Sequence, residues 1–225
     1  MFFTIYGDSQ YGTLIFEDNF ERVESQELKD EPGNEWTTSS EKTAKGHKQV
    51  DLKEGHLYIY THAEANHATS VRHAFNFKDG SIGLRLMFDH EKESIKLNFT
   101  DMNEKSVHAG HLFNVELSTT AVKFSDLKTG VMNLKIRKAK KDHLLTAEQK
   151  KMLSTKHKTF PHKLEAKTWH DIIATVKGNT VQCRINGKII GEFESEGIGH
   201  ESKSLIRLLV AKTVHVDDVK IWKKN

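Results

Sequence analysis

Short runs of alternating apolar residues, broken by turn residues, recur along the whole chain and constrain its fold more than any other feature. Leu14-Ile15-Phe16 with Phe20 opens the series, and Leu57-Tyr58-Ile59-Tyr60 follows a Lys53-Glu54-Gly55 turn. Val71, Phe75 and Phe77 run into Lys78-Asp79-Gly80, and Ile82, Leu84, Leu86 and Phe88 lead away from it. Asp-Gly between two such runs predicts a hairpin, because Gly and Asn/Asp accept the positive φ of a tight turn. Ile95, Leu97 and Phe99 form the next strand, and Phe113, Val115 and Leu117 another. Ile172, Ala174 and Val176 precede Lys177-Gly178-Asn179, and Val181, Cys183 and Ile185 precede a second hairpin signal, Asn186-Gly187, leading to Ile189 and Phe193. Ile206, Leu208 and Val210 alternate cleanly, and Val214, Val216, Val219 and Ile221 close the chain around Asp217-Asp218. Many short antiparallel strands of this kind predict an all-β, two-sheet antiparallel β-sandwich.

One short inserted helix is expected near 146–157. Thr146-Ala147-Glu148-Gln149 is a capping box, and Ala147, Met152 and Leu153 give a narrow apolar edge. This region is also strongly basic. Lys135, Arg137, Lys138, Lys140, Lys141, Lys150, Lys151, Lys156, Lys158 and Lys163 are opposed there only by Asp142 and Glu148, whereas the whole chain carries a formal charge of +3. The rest is therefore net acidic. The basic block reads either as a solvated face or as an attractor of polyanions.

At 225 residues the chain suits one large sandwich over 14–225, with 1–13 expected to be a leader remnant or a flexible N-terminus. Met1 to Tyr6 is too short for a signal core and lacks a basic flank. No apolar run is long enough to span a bilayer. The single Cys183 falls in a strand-like run and reads as a small buried thiol, without an intramolecular partner.

Several segments carry a further resemblance. Leu14-Ile15-Phe16-Glu17-Asp18-Asn19-Phe20 and Val216-Asp217-Asp218-Val219-Lys220-Ile221-Trp222 look like a matched pair of chain ends. Trp169-His170-Asp171 leads toward Ile185-Asn186-Gly187-Lys188. Together they resemble the concanavalin A-like lectin/glucanase superfamily, in particular the 3-keto-disaccharide hydrolase-like, or family 16 glycoside hydrolase-like, proteins. The resemblance implies a jelly roll, periplasmic or extracellular location and an oligo- or polysaccharide partner. It also implies a structural calcium ion, with Glu17 and Asp217 at the matching positions. Two activities stay open: cleavage of a glycosidic bond, or noncatalytic binding of an anionic glycan. The Glu-x-Asp-x-x-Glu signature of family 16 hydrolases is absent, and Glu192-Phe193-Glu194-Ser195-Glu196 is its nearest imitation.

For catalysis, the segment 98–111 is the richest. It offers His108 and His111 as near-neutral acid/base groups, with Asp101 and Lys105 beside them. The same groups equally suit hydrogen bonding to sugar hydroxyls, ligation of a metal by the two imidazoles, or a structural loop. For ligand contacts, Arg72 and His73 fall on opposite strand faces, so one of them looks out of its sheet. Tyr58 and Tyr60 share a face as a paired aromatic stripe, and Trp36 and Trp169 are further platforms. Asp126 and Lys128 complete the expected substrate-binding set. Nucleic acid is not an expected partner, because no recognised nucleic-acid module accompanies the lysines.

Overall fold

The protein is described here by a computed structural model covering residues 10–224. Its elements in chain order begin β1 (Thr13–Asp18), β2 (Thr37–Thr38), α1 (Ser40–Thr43), β3 (Val50–Lys53), β4 (His56–Tyr60), β5 (Thr69–Phe77) and β6 (Gly80–Met87). Then come β7 (Ser94–Thr100), β8 (His111–Ser118), β9 (Ala121–Asp126), α2 (Leu134–Lys141), α3 (Ala147–Ser154) and β10 (His157–Pro161). The last strands are β11 (His170–Lys177), β12 (Thr180–Ile185), β13 (Lys188–Glu194), β14 (Lys203–Val210) and β15 (Thr213–Lys223).

The strands form two antiparallel sheets. One runs β13-β12-β11-β6-β15-β4-β3, with β1 also paired to β15; the other runs β10-β9-β8-β7-β14-β5-β2. The expected alternation builds the core between them. Leu57, Ile59, Ile82, Leu84, Leu86, Ile172 and Ala174 of the first sheet meet Ile95, Leu97, Phe99, Phe113, Val115, Ile206 and Leu208 of the second, all nearly sealed from water. A smaller cluster of Tyr11, Ile173 and Trp222 covers the outer side of the first sheet. The bare Cα of Gly83 makes room for Trp222, whose ring would lie 2.9 Å from any added Cβ. Tyr11 and β1 thus belong to the sandwich, while the Met1–Tyr6 run lies outside the described residues. Cys183 is buried, and burial raises its thiol pKa to about 12, so it stays an inert packing group.

Two features depart from the sequence expectation. Asp79-Gly80 does not close a hairpin: β5 and β6 lie in different sheets, and the turn is the corner between them. The glycine serves close approach, since a Cβ there would strike the Trp222 carbonyl oxygen at 2.3 Å and the Phe77 ring at 2.8 Å. Asn186-Gly187 is a true hairpin turn, with both residues at positive φ. The second departure is α2, unexpected beside α3. The Asn133 side chain caps its first turn, and Ile136 alone is buried. One buried residue leaves no apolar stripe to read. The capping box at Thr146 and Gln149 is present as expected.

Asp126 pins the insertion to the sandwich. Its carboxylate, 1% exposed, accepts from the Thr129 N–H and hydroxyl, the Ser195 hydroxyl and the Gly197 N–H at 2.5–3.0 Å. Lys156 stands 3.9 Å away. Asp126→Ala leaves those donors, the buried Gly197 N–H among them, without their acceptor and is expected to destabilise the fold by about 2 kcal/mol. Denaturant unfolding measures this, and a loss below about 1 kcal/mol contradicts the pinning role.

Candidate functional site

The outer face of the seven-stranded sheet carries one unbroken polar row. Register places Thr37 beside Arg72, Arg72 beside Arg207, Arg207 beside Asn98, Asn98 beside Asn114, Asn114 beside Ser125, and Ser125 beside His157. Arg72, Arg207, Asn98, Asn114 and Ser125 each sit between buried neighbours on their own strands, so period-two geometry turns them outward, and Thr37 and His157 join them through register. The row therefore crosses all seven strands, from β2 to β10.

Arg207 lies next to its centre and is only 8% exposed. Its guanidinium donates to the Ala109 carbonyl at 2.9 Å, with the Met102 sulfur 3.1 Å away and His111 Nε2 3.3 Å away. Its Nε has no partner. Arg72 stands directly across on β5, held only by a bond from its Nε to the Ser70 hydroxyl. Neither arginine forms an ion pair among the described residues. Burial and the Arg72 charge push the Arg207 pKa down to about 10, and burial lowers that of Arg72. Both remain cations at neutral pH, and like charges directly across a sheet repel.

The partners of His111 fix its tautomer. Asn98 donates through its Nδ2 to Asn114 Oδ1 at 2.6 Å, leaving its Oδ1 to accept from His111 Nδ1 at 2.8 Å. His111 Nε2 is then the lone pair facing Arg207. Burial first, then the charges of Arg207, His108 and Arg137, lower the His111 pKa to about 4. The imidazole is thus a neutral, doubly engaged spacer between an amide and a guanidinium. Among the described residues no carboxylate pairs with it, and both its nitrogens are engaged.

The other expected catalytic residues do not converge on it. His108 is exposed in a short turn, its ring 6.3 Å from that of His111. Lys105 is exposed and donates to the Met102 carbonyl. Asp101 is buried and belongs to a separate lock, accepting from His200 Nε2 at 3.0 Å, the Ser204 hydroxyl and the Asn103 N–H. Burial acts to raise its pKa, but these hydrogen bonds outweigh it and hold it below the usual range. Lys128 joins the same lock through His200 Nδ1 at 2.8 Å and Glu104 at 3.4 Å. This cluster ties the 101–110 loop to the loop before β14, and sequence spacing gave no sign of His200.

Among the expected ligand contacts, Arg72 faces out but His73 does not. His73 is 3% exposed and stacks on Phe16 at 3.6 Å, beside Trp36. Trp36 is buried too, its N–H donating to Asp18 at 2.8 Å. Asp126 is sealed beneath the surface, as described above. Tyr58 and Tyr60 do stack, 5.5 Å apart, but on the outer face of the opposite sheet. There Tyr58 adjoins a chain that the sequence did not suggest: His56 Nε2 to His215 Nδ1 at 2.7 Å, and His215 Nε2 to Asp89 at 2.9 Å, with Trp169 edge-on to both imidazoles. The residues expected to form one site are therefore divided between two opposite faces.

Calcium between Glu17 and Asp217 does not fit the side chains present. Glu17 is exposed opposite Lys220, and Asp217 lies 3.7 Å from Arg85, which also approaches Asp171 and Asp218. Burial and the neighbouring Asp218 raise the Asp217 pKa to about 6. The buried carboxylate at that end is Asp18, already forked by Arg22 and bonded to Trp36 and the Phe20 N–H. Asp217 and Asp18 are each met by an arginine, which is unlike the oxygen cage of this ion.

Paired carboxylates are also missing from the polar row. Among the outward residues of the seven strands the one carboxylate is Glu116, in register between Lys96 and Lys123. Glu192 and Glu194 lie on the edge strand β13 of the other sheet, exposed, with Phe193 turned into the core.

No family model and no curated protein matches the sequence. Solved structures do match the fold. SCLam, a non-specific endo-β-1,3(4)-glucanase from family GH16, is similar over 96% of this chain and 92% of its own, with a TM-score of 0.61 and 10% identity. The laminarinase catalytic domain from Thermotoga maritima is similar over 95% and 98%, at 0.57 and 11%. The carbohydrate binding module CBM66 from Bacillus subtilis is similar over 82% and 93%, at 0.52 and 7%. The fold is the concanavalin A-like jelly roll that the sequence resemblance implied.

The depressed His111 pKa has a consequence for stability. A group whose folded pKa lies below its unfolded value of 6.5 binds fewer protons when folded, so stability falls as pH drops from about 6.5 toward 4. His111→Asn is expected to flatten that part of the stability–pH curve relative to wild type. An unchanged curve places the imidazole in a more polar setting than described.

Proposed function

We propose that the chain is a noncatalytic carbohydrate-binding module that seats an anionic sugar on the polar row of the seven-stranded sheet. One observation carries this reading. Arg72, half-buried, and Arg207, largely desolvated, stand side by side, and neither forms an ion pair among the described residues. A planar guanidinium pairs a carboxylate or sulfate through two parallel bonds, and it does so more strongly where water is scarce. Beyond the sealed Asn98, the half-buried Asn114 and Ser125 continue the row with an amide and a hydroxyl that suit sugar hydroxyls.

Binding is favoured over cleavage because His111 is held neutral with both nitrogens engaged, and because glycoside hydrolysis usually needs two carboxylates flanking the bond. The names of the fold neighbours, two glucan-cleaving enzymes and a carbohydrate binding module, support saccharide as the ligand class. A periplasmic or extracellular location belongs to the same reading, since polysaccharides are met there. No helix among the described residues is long and apolar enough to cross a membrane.

Titration calorimetry against uronate, sulfated and neutral oligosaccharides tests the proposal. Anionic sugars are expected to bind, less tightly as salt rises. Arg72→Gln is expected to weaken them about tenfold, the loss of one charge-assisted contact. Equal affinity for neutral glucans, or release of shorter products from any of the panel, contradicts it.

A further inference from the structure

The arginine row does not end at the sheet. The insertion carrying α2 is stitched to the loop that covers Arg207. Val107 bridges to Asn133, the His108 N–H donates to the Met132 carbonyl, and the Leu134 N–H donates to the Ser106 carbonyl. Ala109, which accepts from Arg207, lies in the same loop. Arg137 on α2 is among the charges acting on His111, after burial, Arg207 and His108. Arg72 and Arg207 are thus paired in the sheet, and Arg137 stands on the helix stitched to the loop that covers Arg207.

Beyond Arg137 lies a hollow of about 480 Å³, lined by Val131, Met132, Arg137, Lys140, Lys141 and His143. Three carboxylates around the insertion are already taken. Asp142 holds Lys138 at 2.7 Å, Glu104 holds Lys128 at 3.4 Å, and Asp126 faces Lys156 at 3.9 Å. Arg137, Lys140 and Lys141 form no ion pair among the described residues. The hollow thus offers cations in excess together with an apolar wall of Val131 and Met132, against which the apolar face of a sugar ring can rest.

We propose that this hollow is a second subsite, and that the ligand is a polyanionic saccharide chain with one charged sugar on the Arg72–Arg207 row and another against α2. The inference rests on the anionic-sugar reading of the row and extends it from a single sugar to a polymer. Single-stranded nucleic acid fits less well. Its bases stack on aromatic platforms, and none of the described residues lining the hollow is Phe, Tyr or Trp. Two linked subsites make affinity depend on ligand length, because the second contact forms at high effective concentration.

The test is calorimetry with size-graded oligouronates, and in parallel with size-graded sulfated oligosaccharides, on wild type and on Lys140→Glu/Lys141→Glu. Both lysines are exposed, so the variant is expected to keep the wild-type melting temperature, which is measured alongside. Wild-type affinity is expected to rise about tenfold or more from the monosaccharide to the tetrasaccharide. The variant is expected to bind the monosaccharide as wild type does and to lose the gain with length. The arm that shows the gain identifies the anion as carboxylate or sulfate. A wild type that binds the monosaccharide without a length gain overturns this inference alone, as does a gain that persists in the variant. Failure to bind any oligomer overturns the arginine-row reading as well. Equal, variant-sensitive binding of single-stranded DNA of matched charge overturns the choice of saccharide.

Discussion

The seven-stranded sheet depends on one insertion: β14, almost the last strand of the chain, lies between β5 and β7. Without it, the facing edges of β5 and β7 lose their hydrogen-bonding partner, and Arg207 is not brought between Arg72 and Asn98. The pairing joins segments far apart in sequence, so its loop-closure entropy must be met before any of its contacts contribute. The apolar face of Ile206, Leu208 and Val210 holds the strand in register, because a slip of one residue would turn that whole face to water and Arg207 into the core. Core packing and site geometry are therefore set by the same alternation.

That coupling explains how a nearly water-free guanidinium is tolerated. Arg207 is surrounded by neutral groups: the Ala109 carbonyl, the Met102 sulfur and a His111 held in its accepting tautomer. They meet some of its hydrogen-bonding capacity and none of its charge. The sandwich core supplies the stability that lets this imbalance persist. Functional surfaces commonly show this kind of local disagreement between a side chain and its setting.

Much of this was legible in the sequence, and the gaps have physical reasons. Strand faces followed from alternation, so Ile206, Leu208 and Val210 could be placed inside. The turn at Asn186-Gly187 followed from its φ preference. Asp79-Gly80 misled because a turn signal fixes local direction but not the sheet that the next strand joins. The helix α2 was hidden because burying Ile136 alone leaves no stripe. Arg72 and His111 stood out by residue type. Arg207 lay in plain view between apolar neighbours, yet its importance depends on the cross-strand register with Arg72, which no local pattern reveals. His73 and Asp126 misled in the opposite direction: titratable side chains were satisfied inside the fold by rings and hydroxyls distant in sequence.

The pairing of β1 with β15 gives the sandwich an uneven response to mechanical force. Thr13 lies beside Lys223, and the two strands run antiparallel from that shared corner. Tension applied through these two points would peel the ladder one bond at a time instead of shearing all its bonds together. The sheet would open first at Leu14 and Trp222, while the arginine row on the opposite sheet stays intact. A chain tethered at both points would thus yield first at this seam, on the sheet opposite the arginine row.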